Sequence, residues 1–489
     1  MRPADPTTPT AAPTPTAVSA AAPERSASVR AVVGLLVLFE LTSGFLQGGI
    51  APLLPAIGRE LGVPDAELTW VISVQLLAAA VCVPVIGRLG DLYGHRRVLR
   101  FTLVCVAAGA LLVALAPSLP VLLAGRVLMG PLAALLPLEI ALARDRLPVD
   151  LARSAIARLV GALTLGTLLG GVVTGAVHEA TGDVRTTLLV PAVLAVVCVP
   201  VSFLAVPESA RTVGGRLDRP GAVLLSVAVV LLLSGVSAAK DGGWLSGTVL
   251  GRLLLAVLVA GVWVVVELRT TEPLVDVRAL ADRRVAPFFL CAVVFGAVYF
   301  GSQSPDATFL AADPGRTGYG FGLSALGISL VALPAAVMAV VTSSLTARIA
   351  GRLGYVPALA LAFTLMGTGF LVTAVLHAAL WQVVAAKVLA GLGTGVALGA
   401  MPTVIAEGSD RSRTGVTTAL YNNAKTLGGA VAGGVIASLL AASAGRGPRG
   451  GTPTEPGYVT VWLLCAVLAF GAAALTVAVT AAARRAGRD

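Results

Sequence analysis

The sequence predicts an all-α protein that crosses a membrane fourteen times. Of its 489 residues 57% are hydrophobic and only 12% are charged, whereas soluble proteins carry about 25% charged residues. The mean hydropathy is +0.91. Fourteen apolar runs, each long enough to cross about 30 Å of hydrocarbon, follow one another along the chain. Because no water-soluble interior holds this much apolar surface, these runs are expected to lie in lipid.

The first run begins after a polar segment, residues 1–28, which is rich in Pro, Thr, Ala and Ser. This segment has no apolar core of the signal-peptide type, so we expect a disordered cytoplasmic tail. The first run contains Pro52 and Pro55, which predict a kink near its outer end. The fourteen predicted spans are 31–57, 70–90, 98–116, 121–142, 155–177, 186–206, 220–239, 249–267, 287–310, 322–347, 355–377, 380–404, 415–441 and 458–483.

The distribution of basic residues predicts the orientation of these spans. Most of the 35 Lys and Arg residues fall in segments on one side of the map, which the positive-inside rule assigns to the cytoplasm. The net charge of +10 is therefore explained by membrane topology, and no nucleic-acid partner is expected. The prediction is a multi-pass protein of the inner membrane with both termini in the cytoplasm.

An internal repeat divides the chain into two halves. Three motifs recur at an offset of about 260 residues, and Lys387 becomes the counterpart of Arg126 in the second copy. The matching segments are GRLGDLYG 87–94 with ARIAGRLG 347–354, RVLMG 126–130 with KVLAG 387–391, and TLG 164–166 with TLG 426–428. The predicted organisation is a six-helix bundle over 29–210, two inserted helices over 211–284, a second six-helix bundle over 285–484 and a tail over 485–489.

The loop GRLGDLYGHRR, residues 87–97, is predicted to form a cytoplasmic gate between spans two and three. Asp91 lies among bases and needs a basic partner or a helix N-terminus. We expect it to cap the start of the helix at 415–441. The loop lacks the GK[ST] ending of a phosphate-binding loop, so an ion gradient is the expected energy source. The predicted gate residues are Gly87, Asp91, Gly94, Arg96 and Arg97, with Glu139 and Asp145 as partners of the two arginines and Arg413 near Asp91.

Glu40 is the carboxyl group expected to lie deepest in the bilayer. It stands about ten residues into its span, or about 15 Å along a helix, where an ionised carboxylate is costly unless it is paired or protonated. One interpretation is a proton carrier. The other is a fixed ion pair with Arg126 of the fourth span. We predict that Glu40 and Arg126 couple transport to protons, and Glu40→Gln discriminates between the two interpretations.

Several further polar residues inside spans are candidates for a substrate cavity. Each is equally compatible with a helix-packing role. If the lysines face the same cavity as Glu40 and Arg126, the cavity is positively charged and favours an anionic or zwitterionic substrate. Asp306 is expected at the outer lip of its span. The candidates are Gln47, Gln75, Lys387, Asn422, Asn423 and Lys425; Gly166, Gly170 and Gly171 are predicted to allow close helix packing.

These motifs resemble the major facilitator superfamily. GRLGDLYGHRR is similar to the family's loop signature between helices 2 and 3, and Arg126 with Gly130 is similar to its helix 4 signature. LGTLLGG at 165–171 resembles the helix 5 antiporter signature GPxxGG, with Thr167 in place of the proline. YNNAKTLGGAVAGG at 421–434 resembles the corresponding helix of the fourteen-span branch. The resemblance implies the major facilitator fold, two six-helix bundles that rock about a central site, with two extra helices between them.

The resemblance also implies a proton-coupled efflux transporter. We expect it to export an amphipathic organic compound, such as an antibiotic or secondary metabolite, by alternating access. The expected partners are the small-molecule substrate, protons and the lipid bilayer, with a monomeric protein. No enzyme activity, metal or cofactor is expected. The alternative is a gradient-driven uptake carrier for a small organic solute, which the missing helix 5 proline leaves open. A membrane sensor on the same scaffold is a second alternative.

Overall fold

The computed structural model describes residues 21–146, 149–205, 217–242, 246–282, 284–408, 414–444 and 452–486. Over these residues the chain forms α-helices joined by short turns, and two short 3-10 helices. The α-helices are α1 Ala21–Gly48, α2 Leu54–Leu61, α3 Asp65–Tyr93, α4 His95–Ala114, α5 Leu119–Leu128, α6 Leu135–Arg146, α7 Val149–Thr181, α8 Val184–Ala205, α9 Arg219–Gly242, α10 Gly247–Arg269, α11 Val277–Ala281, α12 Ala286–Gly301, α13 Gln303–Ala311, α14 Pro314–Thr317, α15 Ala325–Leu353, α16 Tyr355–Val375, α17 Leu380–Gly408, α18 Thr414–Ser443 and α19 Glu455–Ala486.

Fourteen segments of this helical chain are long and apolar enough to cross a membrane, which confirms the predicted number of spans. Eleven of them are single helices, and three are built from shorter pieces: α1 with α2, α5 with α6, and α12 with α13. α1 begins at Ala21, so residues 21–28 of the predicted tail are helical, and the first apolar span begins at Gly34; residues 1–20 lie outside the described part of the chain.

Prolines and a glycine pair explain two of these interruptions. The first span stops being α-helical at Gly48, continues through a 3-10 turn over Ala51–Leu53 and resumes at Leu54, so the predicted kink is confirmed. The fourth span has a similar 3-10 segment, Gly130–Ala134, which the sequence analysis did not anticipate. A proline lacks the amide hydrogen that a helix interior needs, so Pro131 ends the hydrogen-bond pattern of α5.

Each half of the protein has its own apolar core. One core is formed by buried side chains from α1 to α8, among them Phe39, Leu99 and Leu138. The other is formed mainly by buried side chains from α12 to α19, among them Phe363 and Trp462. Two separate cores allow each half to move as a packed unit, because packed interiors resist continuous deformation.

The inserted helices α9 and α10 pack against the junction of the two halves. Leu77 of α3, Val229 of α9 and Ala430 of α18 form one small buried cluster. The hydroxyl of Ser438 donates to the carbonyl oxygen of Val236 at 3.1 Å. On the outer side α10 exposes large apolar residues, including Val257. The insertion therefore joins α3 to α18 and presents its other helix to lipid.

Candidate functional site

Two carboxyl groups lie in direct contact inside the first half. Glu40 of α1 is 1% exposed and Glu139 of α6 is completely buried. α1 packs against α6, and the two carboxyl groups lie beside each other. Apart from this contact, both oxygens of Glu139 and one oxygen of Glu40 receive no hydrogen bond from the described residues. Two neighbouring acids with no base among the described residues repel each other when both are ionised.

The immediate surroundings of this carboxyl pair are apolar or weakly polar. Phe39 and Leu138 are buried neighbours in the same core. From α8 the thiol of Cys198 faces the pair and donates to the hydroxyl of Thr42 at 3.4 Å. Because water is excluded here, an ionised carboxylate has no solvation to replace the missing base.

The predicted pairing of Glu40 with Arg126 is wrong. Arg126 is buried, but its Nε donates to the carbonyl oxygen of Val71 on α3 at 2.8 Å, and it forms no ion pair with any described acid. The prediction that Glu139 serves the gate arginines Arg96 and Arg97 is also wrong, because Glu139 is buried against Glu40. The 3-10 segment between α5 and α6 has three residues per turn instead of 3.6, so the face on which Glu139 lies cannot be counted from Arg126 along one continuous helix.

The second half holds a buried pair of opposite sign. Nζ of Lys387 on α17 lies 2.5 Å from Oδ2 of Asp306 on α13. The indole nitrogen of Trp462 donates to the other Asp306 oxygen at 2.9 Å. Both charged side chains are only 16% exposed. Lys387 was predicted as a cavity residue that could add positive charge; its place in a cavity stays a prediction, and its charge is neutralised by Asp306. Asp306 therefore removes one positive charge from the set that was expected to make the cavity cationic.

The remaining cavity candidates lie on α1, α3 and α18. On α18, Nζ of Lys425 stands 5.6 Å from the ring centre of Tyr421, and Oδ1 of Asn423 is buried without a hydrogen-bond partner among the described residues. Asn422 is half-buried on the same helix. Gln75 of α3 is buried, and its Oε1 also lacks a partner there. α3 packs against α18, so these amides lie on adjacent helices of different halves.

Gln47 differs from this group. It is exposed on α1, and its side-chain nitrogen donates to the hydroxyl of Ser43 one turn earlier at 3.2 Å. Nothing in the described residues brings it to the α3–α18 contact. Its role in a substrate cavity stays a prediction.

The gate loop is held by contacts other than those expected. Asp91 lies 3.4 Å from His95, one turn further along the chain. Gly94 separates α3 from α4 with φ of 94°, a value that side chains disfavour. Arg88 pairs with Glu272 at 2.5 Å. That acid lies just after α10, so the loop is tied to the insertion, which the sequence analysis missed.

The structure describes the surroundings of only some of the other predicted gate residues. Gly87 has open space around its α-carbon, Arg96 is half-buried and Arg97 is exposed. The side chain of Asp145 and the whole of Arg413 lie outside the described residues. The predicted contact of Asp91 with the start of α18 therefore stays a prediction.

Glycines bring α1 and α7 into backbone contact. A β-carbon at Gly166 would overlap the carbonyl oxygen of Leu41, and one at Gly170 would overlap that of Phe45. The carbonyl oxygen of Gly171 points to the other half, where it accepts a hydrogen bond from the hydroxyl of Ser329 at 2.7 Å. The first two glycines thus allow packing within a half, and the third lies at the contact between halves.

Several contacts between described residues of the two halves lie near one end of the molecule. We call the end at which α1 begins and α19 ends the terminal face, and the other end the opposite face. Four hydrogen bonds between the halves lie in the part of the protein nearer the opposite face. They are Ser329 with Gly171, Ser324 with Glu179, Thr69 with Ser304, and Tyr458 with Asp65.

Tyr319, in the connection after α14, supports the opposite face of the second half. Burial raises the pKa of Tyr319 to about 12, so its hydroxyl keeps its proton. That hydroxyl donates to the carbonyl oxygen of Pro453, and its ring stacks on Phe309 with the centroids 5.6 Å apart. The opposite face of the second half is therefore rigidly packed around this aromatic cluster.

Comparison with known proteins identifies the class. Residues 36–433 match the family model described as Major Facilitator Superfamily. This match covers most of the chain, so the protein belongs to the Major Facilitator Superfamily. It is therefore a multi-pass membrane transporter and not an enzyme.

Individual relatives show which members of the superfamily this chain resembles. The chain is 27% identical over 448 residues to a probable actinorhodin transporter of Streptomyces coelicolor, covering 87% of this chain and 75% of that protein. It is 33% identical over 305 residues to the cephamycin export protein CmcT of Amycolatopsis lactamdurans, covering 58% and 60%. A crystal structure of the peptide transporter POT in complex with sulfate aligns with a TM-score of 0.66 at 17% identity over 95% of this chain and 99% of that one. That last likeness concerns the fold alone.

Proposed function

We propose that the protein is a proton-coupled efflux transporter that exports an amphipathic organic compound, such as an antibiotic or a secondary metabolite, by alternating access. The names of its relatives support the direction and the type of substrate, because they include a probable actinorhodin transporter and a cephamycin export protein. The proposed location is the inner membrane, with the terminal face in the cytoplasm.

The observation that carries proton coupling is the burial of Glu40 beside Glu139. A carboxyl group in a water-excluded core is stable when protonated and costly when ionised. A change of conformation that admits water therefore changes the proton affinity of the site. This is the property a transporter needs to exchange protons between two sides of a membrane.

Contacts between described residues of the two halves support the proposal of alternating access. These hydrogen bonds lie toward the opposite face, so the pathway is proposed to be closed there and to open at the terminal face. In the transport cycle the halves rock, the opposite-face contacts separate, and the substrate site faces outward. The amides of Gln75 and Asn423, on adjacent helices of the two halves, are proposed substrate contacts.

Transport in reconstituted vesicles tests this function. A pH gradient is imposed across vesicles of the purified protein, and movement of actinorhodin, a cephamycin and ethidium is measured together with the internal pH. We expect at least one compound to accumulate against its gradient while protons move the other way. Glu40→Gln should reduce this accumulation to the level of protein-free vesicles, since the variant keeps the shape of the side chain and loses its titration.

Glu267→Gln is the matched control. Glu267 is a buried acid of α10 that accepts hydrogen bonds from the indole of Trp263 and the amide of Val275. The same substitution there should leave accumulation intact. Wild-type transport that does not depend on the pH gradient would contradict the proposal. Movement of substrate and protons in the same direction would indicate an uptake carrier instead.

A further inference from the structure

We propose that Glu40 and Glu139 form one shared proton site and that Glu139 is therefore a second proton-coupling residue. This inference rests on the proposed function and deepens it. It assigns a role to a residue that the sequence analysis had placed at the cytoplasmic gate.

The first argument is the geometry of the pair. Glu40 and Glu139 come from different helices of the same half, and both are almost fully buried. Their carboxyl groups contact each other, and no base among the described residues contacts either of them. Two carboxylates at this separation cannot both be ionised, so the pair holds at least one proton. The proton belongs to the pair and not to one member.

The second argument is the set of charged and titratable groups around the pair. Cys198 faces it from α8, and its thiol is engaged with Thr42. From α7 the packing partners of α1 include Gly166 and Gly170, which carry no charge. Arg126 is turned toward α3, where it donates to Val71. No described cation therefore competes with a proton for the two carboxyl groups.

The third argument is the position of the pair relative to the substrate contacts. Both carboxyl groups are enclosed within the first half, whereas Gln75 and Asn423 belong to α3 and α18, two helices that pack against each other across the halves. Substrate at that contact between halves does not have to touch the carboxyl pair. Coupling is then conformational: in the conformation in which rocking of the halves lets water reach the pair, the shared proton leaves the carboxyl oxygen for that water. When the pair closes again, one proton from the water on the other side restores the O–H···O contact.

Infrared spectroscopy of the purified protein tests the site without a substrate. A protonated carboxylic acid in an apolar core has a carbonyl stretch distinct from that of a carboxylate. At neutral pH we expect this band in the wild type and in Glu267→Gln. We expect it to change in both Glu40→Gln and Glu139→Gln, and to be absent in the double variant. A band identical in the wild type and Glu139→Gln would overturn the proposal.

Transport assays separate this inference from the proposed function. In vesicles with actinorhodin, a cephamycin and ethidium as probes, Glu139→Gln should lose accumulation driven by the pH gradient. It should keep exchange of labelled for unlabelled substrate at equal pH, which needs no net proton movement. Because the two acids act as a unit, the double variant should be no worse than either single variant.

Each outcome has one meaning. If wild-type transport ignores the pH gradient, the proposed function fails, whatever the infrared band shows. If the wild type is proton-driven, Glu40→Gln is uncoupled and Glu139→Gln remains fully coupled, the proposed function stands and the shared site is refuted. Should Glu139→Gln not fold, Glu139→Asp retains the carboxyl group and is expected to keep proton-driven transport, with a shifted infrared band as the measure of the altered pair. An unshifted band in that variant would also refute the shared site.

Discussion

The two halves of this transporter bury charged groups in opposite ways. In the first half two acids, Glu40 and Glu139, face each other without a base. In the second half Asp306 is neutralised by Lys387 and also accepts a hydrogen bond from Trp462. In our proposal the first arrangement holds a proton that water can remove. The second is complete without one. Proton exchange is therefore expected from the first half alone, with the second providing a stable counterpart.

The difference is sharpest at the repeat-related positions Arg126 and Lys387. Both are long basic side chains, and they occupy corresponding positions in the two copies of the repeat. Arg126 donates to a backbone carbonyl oxygen of α3, whereas Lys387 pairs with a carboxylate of α13. The two corresponding side chains thus make different contacts: a hydrogen bond between helices in the first half and an ion pair in the second.

The largest expected effect comes from breaking the ion pair. Lys387→Met leaves Asp306 buried with one hydrogen bond and no counter-ion, and breaking a buried pair in this way costs about 3–5 kcal/mol. The lower end of that range applies, because both side chains are 16% exposed. The check is the unfolding temperature of the protein in detergent, which should fall clearly.

The double variant Lys387→Met with Asp306→Leu is its control. Replacing both charges by apolar groups removes the unpaired carboxylate, so most of the lost stability should return. A double variant as unstable as the single one would mean that the ion pair is not the source of the loss.

The next effect concerns the place where the halves meet. A β-carbon at Gly175 of α7 would lie 2.8 Å from the α-carbon of Leu326 in α15, a backbone atom of the other half. Gly175→Ala should therefore disfavour the state closed at the opposite face by about 1–3 kcal/mol, the usual cost of overpacking. Spin labels at Thr181 and Arg316, in a cysteine-free background, should report a longer distance.

Gly161→Ala provides the comparison in the same helix. Nothing lies within 4 Å of a β-carbon built at Gly161, so the label distance should stay that of the parent protein. An equal change in both variants would show that α7 responds to lost glycine flexibility and not to the contact with α15.

A smaller effect is expected at the arginine that corresponds to Lys387. Arg126→Met removes a hydrogen bond to Val71 and no counter-ion, so it should cost about 1.5 kcal/mol of stability, the lower end for a hydrogen bond to a charged group. The unfolding temperature should fall less than in Lys387→Met. If the two variants are equally destabilised, the halves do not differ as described, and Arg126 has an acidic partner in solution.

The smallest expected effect is at the gate loop. Arg88 and Glu272 are 21% and 46% exposed, and pairs of this kind contribute about 0–1 kcal/mol. Arg88→Gln, Glu272→Gln and the double variant form a cycle whose coupling energy is measured from unfolding temperatures at low and high salt. A coupling that persists at high salt would mean that the loop and the insertion are joined by more than this exposed pair.

The hydropathy of the chain determined the number, order and approximate limits of the spans, because about twenty apolar residues have one way to cross a bilayer with every backbone hydrogen bond made. The repeat predicted two related halves, and Pro52 with Pro55 predicted the break in the first span. The burial of Glu40 also followed from its position within an apolar run. All of these are local or periodic properties that can be read along one helix.

The partners of the buried charges were decided by the tertiary structure alone. Glu139 meets Glu40 after a 3-10 turn that separates α6 from α5, and Lys387 meets Asp306 because α13 continues α12, which packs beside α17. Neither contact can be predicted from hydropathy, since the rotation of one helix against another depends on packing across the whole half. The sequence therefore determined which groups lie in the membrane, and the packing of the helices determined whether each one meets a base, an acid or a backbone carbonyl.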